Sequence, residues 1–262
     1  MFWTIIMNGK NAHTQFSCIC QNVLPHESGT LVDVLNTNLT KLFFRQLNYI
    51  ITLSSSDLKS VQTFMPHKKS AYMIESTYES QFGKIPSKKD ARKKLGISAH
   101  ALLFFGFVRP YKGLKYLLQS LPSIVKKMPE LKLMIVGEFW SDKKEYIDLV
   151  QQLRLQNNVM IVDRYVSNAE VPTYFAAADA VVLPYTSSTE SGIIQLAYGL
   201  NTPIITTSVG GNVDLVAHHK TGMLCLPENP DDLARVILEF YDKKLEKPIK
   251  KGMKSNAKLF RW

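Results

Sequence analysis

From residue 99 onward, short apolar runs of strand length alternate with amphipathic stretches of helix length. The runs are ALLFFGF (101–107), LKLMIVG (131–137), NVMIVDR (158–164), DAVVLPY (179–185), TPIITTS (202–208) and GMLCLP (222–227). Between them, apolar positions recur at helical spacing over 112–128, 143–155, 169–178, 193–200 and 230–242. Leu114, Leu117, Leu118, Leu121 and Val125 show that period in the first of these segments. A strand that reads as a nearly continuous apolar run is buried on both faces, and helical crossovers between such strands impose a parallel sheet. Six such units predict a complete, doubly wound α/β domain with a six-stranded parallel sheet.

The first part of the chain is less regular. Residues 16–20 and 49–54 read as strands, 31–47 between them as a helix, and 71–74 as a further short strand. Two or three strands make only a partial Rossmann-like domain. GKIPSKKDARKKLGIS (83–98) is polar, basic and broken at Pro86, with room for a short helix at 88–95. The expected division is a partial domain over 1–87, a linker over 88–98 and the complete domain over 99–262. A truncated sheet exposes an unpaired edge, so robust folding is expected over 99–241 and poor folding over 1–87.

In a doubly wound sheet, ligands sit beyond the carboxyl ends of the strands, where loops lead into helix N-termini. The loop after the first run of the regular region, 106–113, holds Gly106, Arg109, Lys112 and Gly113. A guanidinium and an ammonium beside a helix N-terminus suit a phosphate or diphosphate. No Gly-x-Gly-x-x-Gly follows that run and no Walker-type loop occurs, which disfavours dinucleotide and P-loop chemistry.

Composition narrows the class. With 262 residues, 45% hydrophobic and 21% charged, the chain has the make-up of an ordinary globular protein rather than a disordered one. The N-terminus MFWTIIMNGK lacks the basic and apolar regions of a signal peptide, so a cytosolic chain is the default. Cys18 and Cys20 form a C-x-C, but no second Cys/His pair has ligand spacing, so small apolar side chains on a strand are expected and no metal site. The net charge of +10 is uneven. Residues 1–98 carry 12 basic and 6 acidic side chains, residues 242–262 carry 8 and 2, and the stretch between carries 12 and 14. That distribution does not look like a nucleic-acid stripe. Solvated helix faces are the plain reading of the basic runs, with peripheral adhesion to an anionic membrane as the alternative.

Four stretches then carry a family resemblance: FFGFVRPYKGL (104–114), DRYVSNAEVPTYFAAADAVVLPY (163–185), NTPIITTSVGGNVDLV (201–216) and KTGMLCLPENPDDLARVI (220–237). In order and spacing they resemble the donor-binding half of group 1 (family 4) glycosyltransferases, which have the two-domain GT-B fold. CICQNVLPHE (18–27) is similar to a motif of the family's acceptor domain, with Gln21 in place of its first histidine. The N-terminal region resembles the middle of that acceptor domain, entered at a helix, and the end NAKLFRW (256–262) resembles a turn that normally leads into a further helix.

The resemblance implies a retaining, metal-independent transfer of a sugar from a UDP- or GDP-linked donor to a sugar, lipid or other hydroxyl acceptor, in cell-surface polysaccharide or glycolipid synthesis. The nucleotide sugar would be a substrate, with no cofactor and no nucleic-acid partner, and the cytoplasm or the inner face of a membrane would be the setting. Arg109 and Lys112 match the basic pair that neutralises the departing diphosphate, and Gly106 the glycine that lets backbone approach the phosphates. Tyr165 and Val166 match the segment that holds the nucleobase, while His26 and Glu27 match an acceptor-side motif facing the donor sugar. Glu190 stands for the first of two family glutamates eight positions apart, or is simply an acid complementing a helix dipole. No second glutamate follows; Gln195 occupies its neighbourhood and can hydrogen-bond a ribose. Ser191, Gly192 and Ile193 open a helix whose amides can face a phosphate. Gly210-Gly211 resembles the family's paired-glycine turn, with Asp214 replacing a glutamate. Two other readings stay open: a catalytically incompetent chain that still binds a nucleotide sugar or a partner chain, and a phosphorylase or sugar-phosphate synthase on the same fold.

Overall fold

The computed structural model describes residues 3–8, 15–20, 30–77, 82–189 and 191–260. Two compact units separate. One comprises residues 1–75 with 187–191 and 210–214, the other residues 76–186, 192–209 and 215–262.

The first unit is built on a four-stranded sheet in the order β1 (Trp3–Asn8), β2 (Gln15–Cys20), β3 (Tyr49–Thr52), β4 (Ser70–Tyr72). β2, β3 and β4 run parallel, joined by crossover helices α1 (Thr30–Gln46) and α2 (Ser55–Phe64). β1 is antiparallel to β2, with Trp3 opposite Cys20 and Asn8 opposite Gln15. The helical entry expected at the start is therefore a strand: WTIIMN is too short an apolar run for periodicity to decide, and pairing with β2 decides it. Cys18, Cys20, Phe44, Leu47, Ile50 and Val61 form the core of this unit. Burial pushes the Cys18 thiol up to about 11, as befits an apolar packing group rather than a ligand or nucleophile. α2 starts where the Ser54 hydroxyl accepts from the Asp57 amide at 3.1 Å, a cap that the weak apolar pattern of SSDLKSVQTF did not announce.

The second unit holds the six-stranded sheet. Its strands are β5 (Ala101–Phe105), β6 (Lys132–Val136), β7 (Val159–Val162), β8 (Ala180–Leu183), β9 (Ile204–Thr207) and β10 (Met223–Cys225). All pairs are parallel and the order is β10-β9-β8-β5-β6-β7. Each expected run became a strand. The crossovers are α4 (Leu114–Lys127), α5 (Lys143–Gln152), α6 (Val171–Ala177), α7 (Gly192–Gly199) and the four-residue α8 (Asn212–Leu215), with α9 (Pro230–Asp242) following β10. The chain moves outward from β5 through β6 to β7, then returns to β8 and continues the other way. The topological switch point, where such sheets bind ligands, lies between β5 and β8. α3 (Lys88–Leu95), inside the expected linker, belongs to this unit, and α10 (Glu246–Asn256) adds a helix that the sequence pattern had not marked.

Asp179, just before β8, ties the amino end of this sheet together. It is 3% exposed, and its carboxylate pairs with Lys88 and Arg92 of α3 and accepts from the Ala101 amide at 2.8 Å. Burial pushes that carboxyl up, but Lys88, the Ala101 amide and Arg92 outweigh it and hold it below the usual aspartate range.

Candidate functional site

At the carboxyl ends of β5 and β6 the backbone narrows around two glycines. Gly106 has φ +96° and Gly137 has φ +140°, both in the region that L side chains avoid. A Cβ on Gly137 would lie 2.3 Å from the Gly106 carbonyl oxygen, so the loops after β5 and β6 touch backbone to backbone only because Gly137 has no side chain there. The Val108 amide donates to the Glu138 carbonyl at 2.9 Å and fixes that contact. After a single 3-10 turn over Pro110–Lys112, Gly113 enters the left-handed region at φ +69° and starts α4. There it abuts the Pro184 carbonyl beyond β8, and the Thr186 amide donates to the Tyr111 carbonyl at 2.8 Å.

These turns aim Lys112 back over the sheet. A Cβ on Gly106 would stand 2.9 Å from the Lys112 Nζ, so the ammonium rests against the bare Gly106 backbone. Lys112 is 8% exposed and has no ion-pair partner among the described residues. Burial, and then repulsion from Arg109, lower its pKa from 10.5 to about 8. A buried cation without a counter-charge is costly, and an anion supplied from outside relieves that cost.

A cavity of about 230 Å³ opens at this point. Gly106, Lys112, Tyr165, Val166 and Ile193 all line it, so the structure brings together five of the residues singled out in the sequence. Gly137, Glu138 and Arg164 line it too and were missed, although the glycine closing LKLMIVG was a signal for the first. The loop carrying Tyr165 and Val166 is braced from both sides. Arg164 makes a two-pronged contact with Glu170, at 3.1 and 2.5 Å, and holds the Glu170 carboxyl down at about 2, helped by the Ser167 hydroxyl and amide. Asp163 pairs with Lys143 at 2.6 Å and accepts from the Phe139 amide at 3.0 Å. Val166 is buried, whereas the Tyr165 ring is 69% exposed.

Arg109 does not line the cavity. Its guanidinium stacks on the Trp140 ring 4.4 Å from the centroid, and Trp140 meets Phe107 edge-on at 6.2 Å. Gln195 is buried in α7 and does not reach the cavity, and Gly192 sits exposed at the first position of that helix. Ser191 is buried and belongs to the first unit. His26, Glu27 and Glu190 lie outside the described residues.

Gly210 and Gly211 are required by packing within the first unit. A Cβ on either would fall within 2.1 Å of a backbone oxygen, that of Ser188 for Gly210 and that of Thr189 for Gly211. Asp214 accepts from the Ser55 amide at 2.9 Å and the Ser55 hydroxyl at 2.8 Å, at the start of α2. Cys225, buried on β10, has its thiol pushed up to about 12 by burial and then by Asp232, and is chemically quiet.

A parallel, doubly wound sheet with glycine-lined loops at its switch point defines a Rossmann-like ligand-binding domain. The model of the family described as glycosyl transferases group 1 matches residues 87–260, and the chain belongs to that family. It is 30% identical over 151 residues to an uncharacterized glycosyltransferase of Methanocaldococcus jannaschii, covering 56% of this chain and 37% of that one. It is 29% identical over 184 residues to a D-inositol 3-phosphate glycosyltransferase of Streptomyces avermitilis, covering 66% and 39%. The chain thus spans about two fifths of the length of the curated relatives it matches. Among solved structures, Anabaena HepE in complex with UDP-glucose matches with a TM-score of 0.78 at 19% identity, over 91% of this chain and 66% of that one. A sucrose-phosphate synthase from Thermosynechococcus elongatus matches with a TM-score of 0.73 at 22% identity, over 88% and 58%. At these identities the likeness is one of fold, the two-domain GT-B fold that the sequence motifs implied. Among the described residues no helix is long and apolar enough to cross a membrane.

Proposed function

We propose that the second unit binds the diphosphate of a nucleotide sugar, and that the chain serves a retaining glycosyltransferase that passes the sugar to a hydroxyl acceptor in polysaccharide or glycolipid synthesis. The observation that carries this reading is the buried Lys112 ammonium, held against the Gly106 backbone at the mouth of the sheet with no ion-pair partner among the described residues. As the sugar–phosphate bond breaks, negative charge grows on the leaving diphosphate. A preorganised cation in a dry notch stabilises that charge more than it stabilises the intact donor. Arg109 supplies the second cation, after leaving its stack on Trp140. The nucleobase rests along the Tyr165–Val166 segment, which the Arg164–Glu170 pair holds in place. Uridine is the first base to try, because the HepE structure holds UDP-glucose.

Calorimetric titration of UDP, GDP and ADP tests the reading. Binding of one nucleoside diphosphate that is lost in Arg109→Ala/Lys112→Ala supports it; equal binding by wild type and double variant overturns it. Hydrolysis or transfer of the matching sugar nucleotide then separates an enzyme from a chain that only binds.

A further inference from the structure

α10 turns a narrow apolar edge inward. Ile249 and Met253 are buried, and Gly252 crosses so close to the Lys220 backbone that a Cβ there would lie 1.9 Å from its carbonyl oxygen. At 100° per residue, the diametrically opposite face carries Lys247, Lys251 and Lys254, with Lys244 just before the helix. All four are exposed, and none has an ion-pair partner among the described residues. Glu246, the one acid of the helix, lies on its flank, where it is taken up by Lys88 at 2.7 Å and Lys250 at 2.8 Å. The same contact joins the start of α10 to the start of α3, whose Lys89, Lys93 and Lys94 are also exposed and unpaired among the described residues. From Lys247 to Lys254 the stripe is about 10 Å long.

We propose that this lysine face of α10 seats the second unit on an anionic lipid bilayer. Three like charges held on one rigid helix face, with Lys244 in the turn before it, repel one another in water, and a negatively charged plane removes that cost. The composition of the face favours lipid over nucleic acid. Lysine is a compact, hydrated point charge suited to headgroups, whereas nucleic-acid surfaces draw on the arginine fork and on stacked aromatics, and this face carries neither. No large apolar side chain projects from it, so the attachment is electrostatic and dissolves as salt shortens the Debye length. The inference is independent of the donor site.

The test is co-sedimentation of the whole chain with phosphatidylcholine vesicles, with and without phosphatidylglycerol. Binding is expected only with the anionic lipid, and it is expected to fall about fivefold per lysine removed, so that Lys244→Gln/Lys247→Gln/Lys251→Gln/Lys254→Gln loses several hundredfold. A control with the same loss of charge elsewhere, Lys59→Gln/Lys126→Gln/Lys127→Gln/Lys144→Gln, is expected to bind nearly as wild type. Equal loss in both variants, undiminished binding of the α10 variant, or binding to neutral vesicles overturns the proposal. So does an RNA oligonucleotide that displaces the vesicles and loses its own affinity in the α10 variant.

Discussion

At the amino end of the six-stranded sheet, the buried Asp179 is surrounded by Lys88, Arg92 and a backbone amide. At the carboxyl end, the buried Lys112 faces a glycine backbone and repulsion from Arg109, with no ion-pair partner among the described residues. The two groups are similarly enclosed, at 3% and 8% exposure, yet their surroundings drive them opposite ways. Asp179 is stabilised as the anion; Lys112 is pushed towards its neutral form. A compensated buried charge belongs to the architecture, and an uncompensated one points to something the folded chain has still to bind.

The comparison is tested most severely by deleting the acid. Asp179→Ala leaves Arg92 without its carboxylate, Lys88 with Glu246 alone and the Ala101 amide without its acceptor, and chemical denaturation is expected to show a loss of about 3–5 kcal/mol. A loss under about 1 kcal/mol would remove the distinction between the two ends.

Lys112→Met is the mirror experiment. Relieving the buried cation is expected to raise the unfolding free energy by on the order of 2 kcal/mol, while affinity for the nucleoside diphosphate drops about a hundredfold. Stability and affinity falling together would mean that Lys112 has a partner within the fold.

Acid and base then separate the ends by pH. The folded-state pKa of Asp179 is below its unfolded value, so its contribution is present above the usual aspartate value of 3.8 and is lost as pH falls through the lower folded value. Lys112 runs the other way: its cost to stability is in full force below about 8 and fades as pH rises towards 10.5. Diphosphate binding favours the charged ammonium, so affinity measured calorimetrically is expected to weaken as pH rises through about 8. A flat profile from pH 7 to 10 would detach Lys112 from the ligand.

The smallest expected effect is at the rim. Trp140→Ala removes the stack that holds the Arg109 guanidinium, worth about 0.5–1 kcal/mol at an exposed ring. A rise in nucleotide affinity of no more than about fivefold is expected calorimetrically, because Arg109 has to leave this stack to reach the diphosphate; a loss of affinity would mean that the stack holds Arg109 in place for the ligand.

Much of this was legible in advance, and the reasons are local. Runs such as ALLFFGF and DAVVLPY have no polar alternation, so they belong in the middle of a parallel sheet whatever surrounds them. Gly106 and Lys112 stand out where a strand ends, because parallel strands leave their carboxyl ends together, whereas Tyr165, Val166 and Ile193 enter through the family resemblance; all five line one cavity. The misses have reasons as well. The resemblance implies a helix at WTIIMN, and a six-residue stretch with four apolar side chains carries no period that could correct it; α2 leaves little apolar pattern because its buried face includes Asp57. Gln195 has the right chemistry for a ribose, but it sits on the inner side of α7.

What the sequence determined by itself was the alternation of strands and helices, the family, and the segment in which the cations lie, all of which follow from short-range pattern and spacing. Tertiary structure decided which charges are matched. Asp179 lies 91 residues from Lys88 and 87 from Arg92, and Lys112 comes to rest against a Gly106 backbone that the loop at Gly137 approaches from a neighbouring strand. Burial and Coulomb attraction depend on distance in space, which no spacing along a chain records.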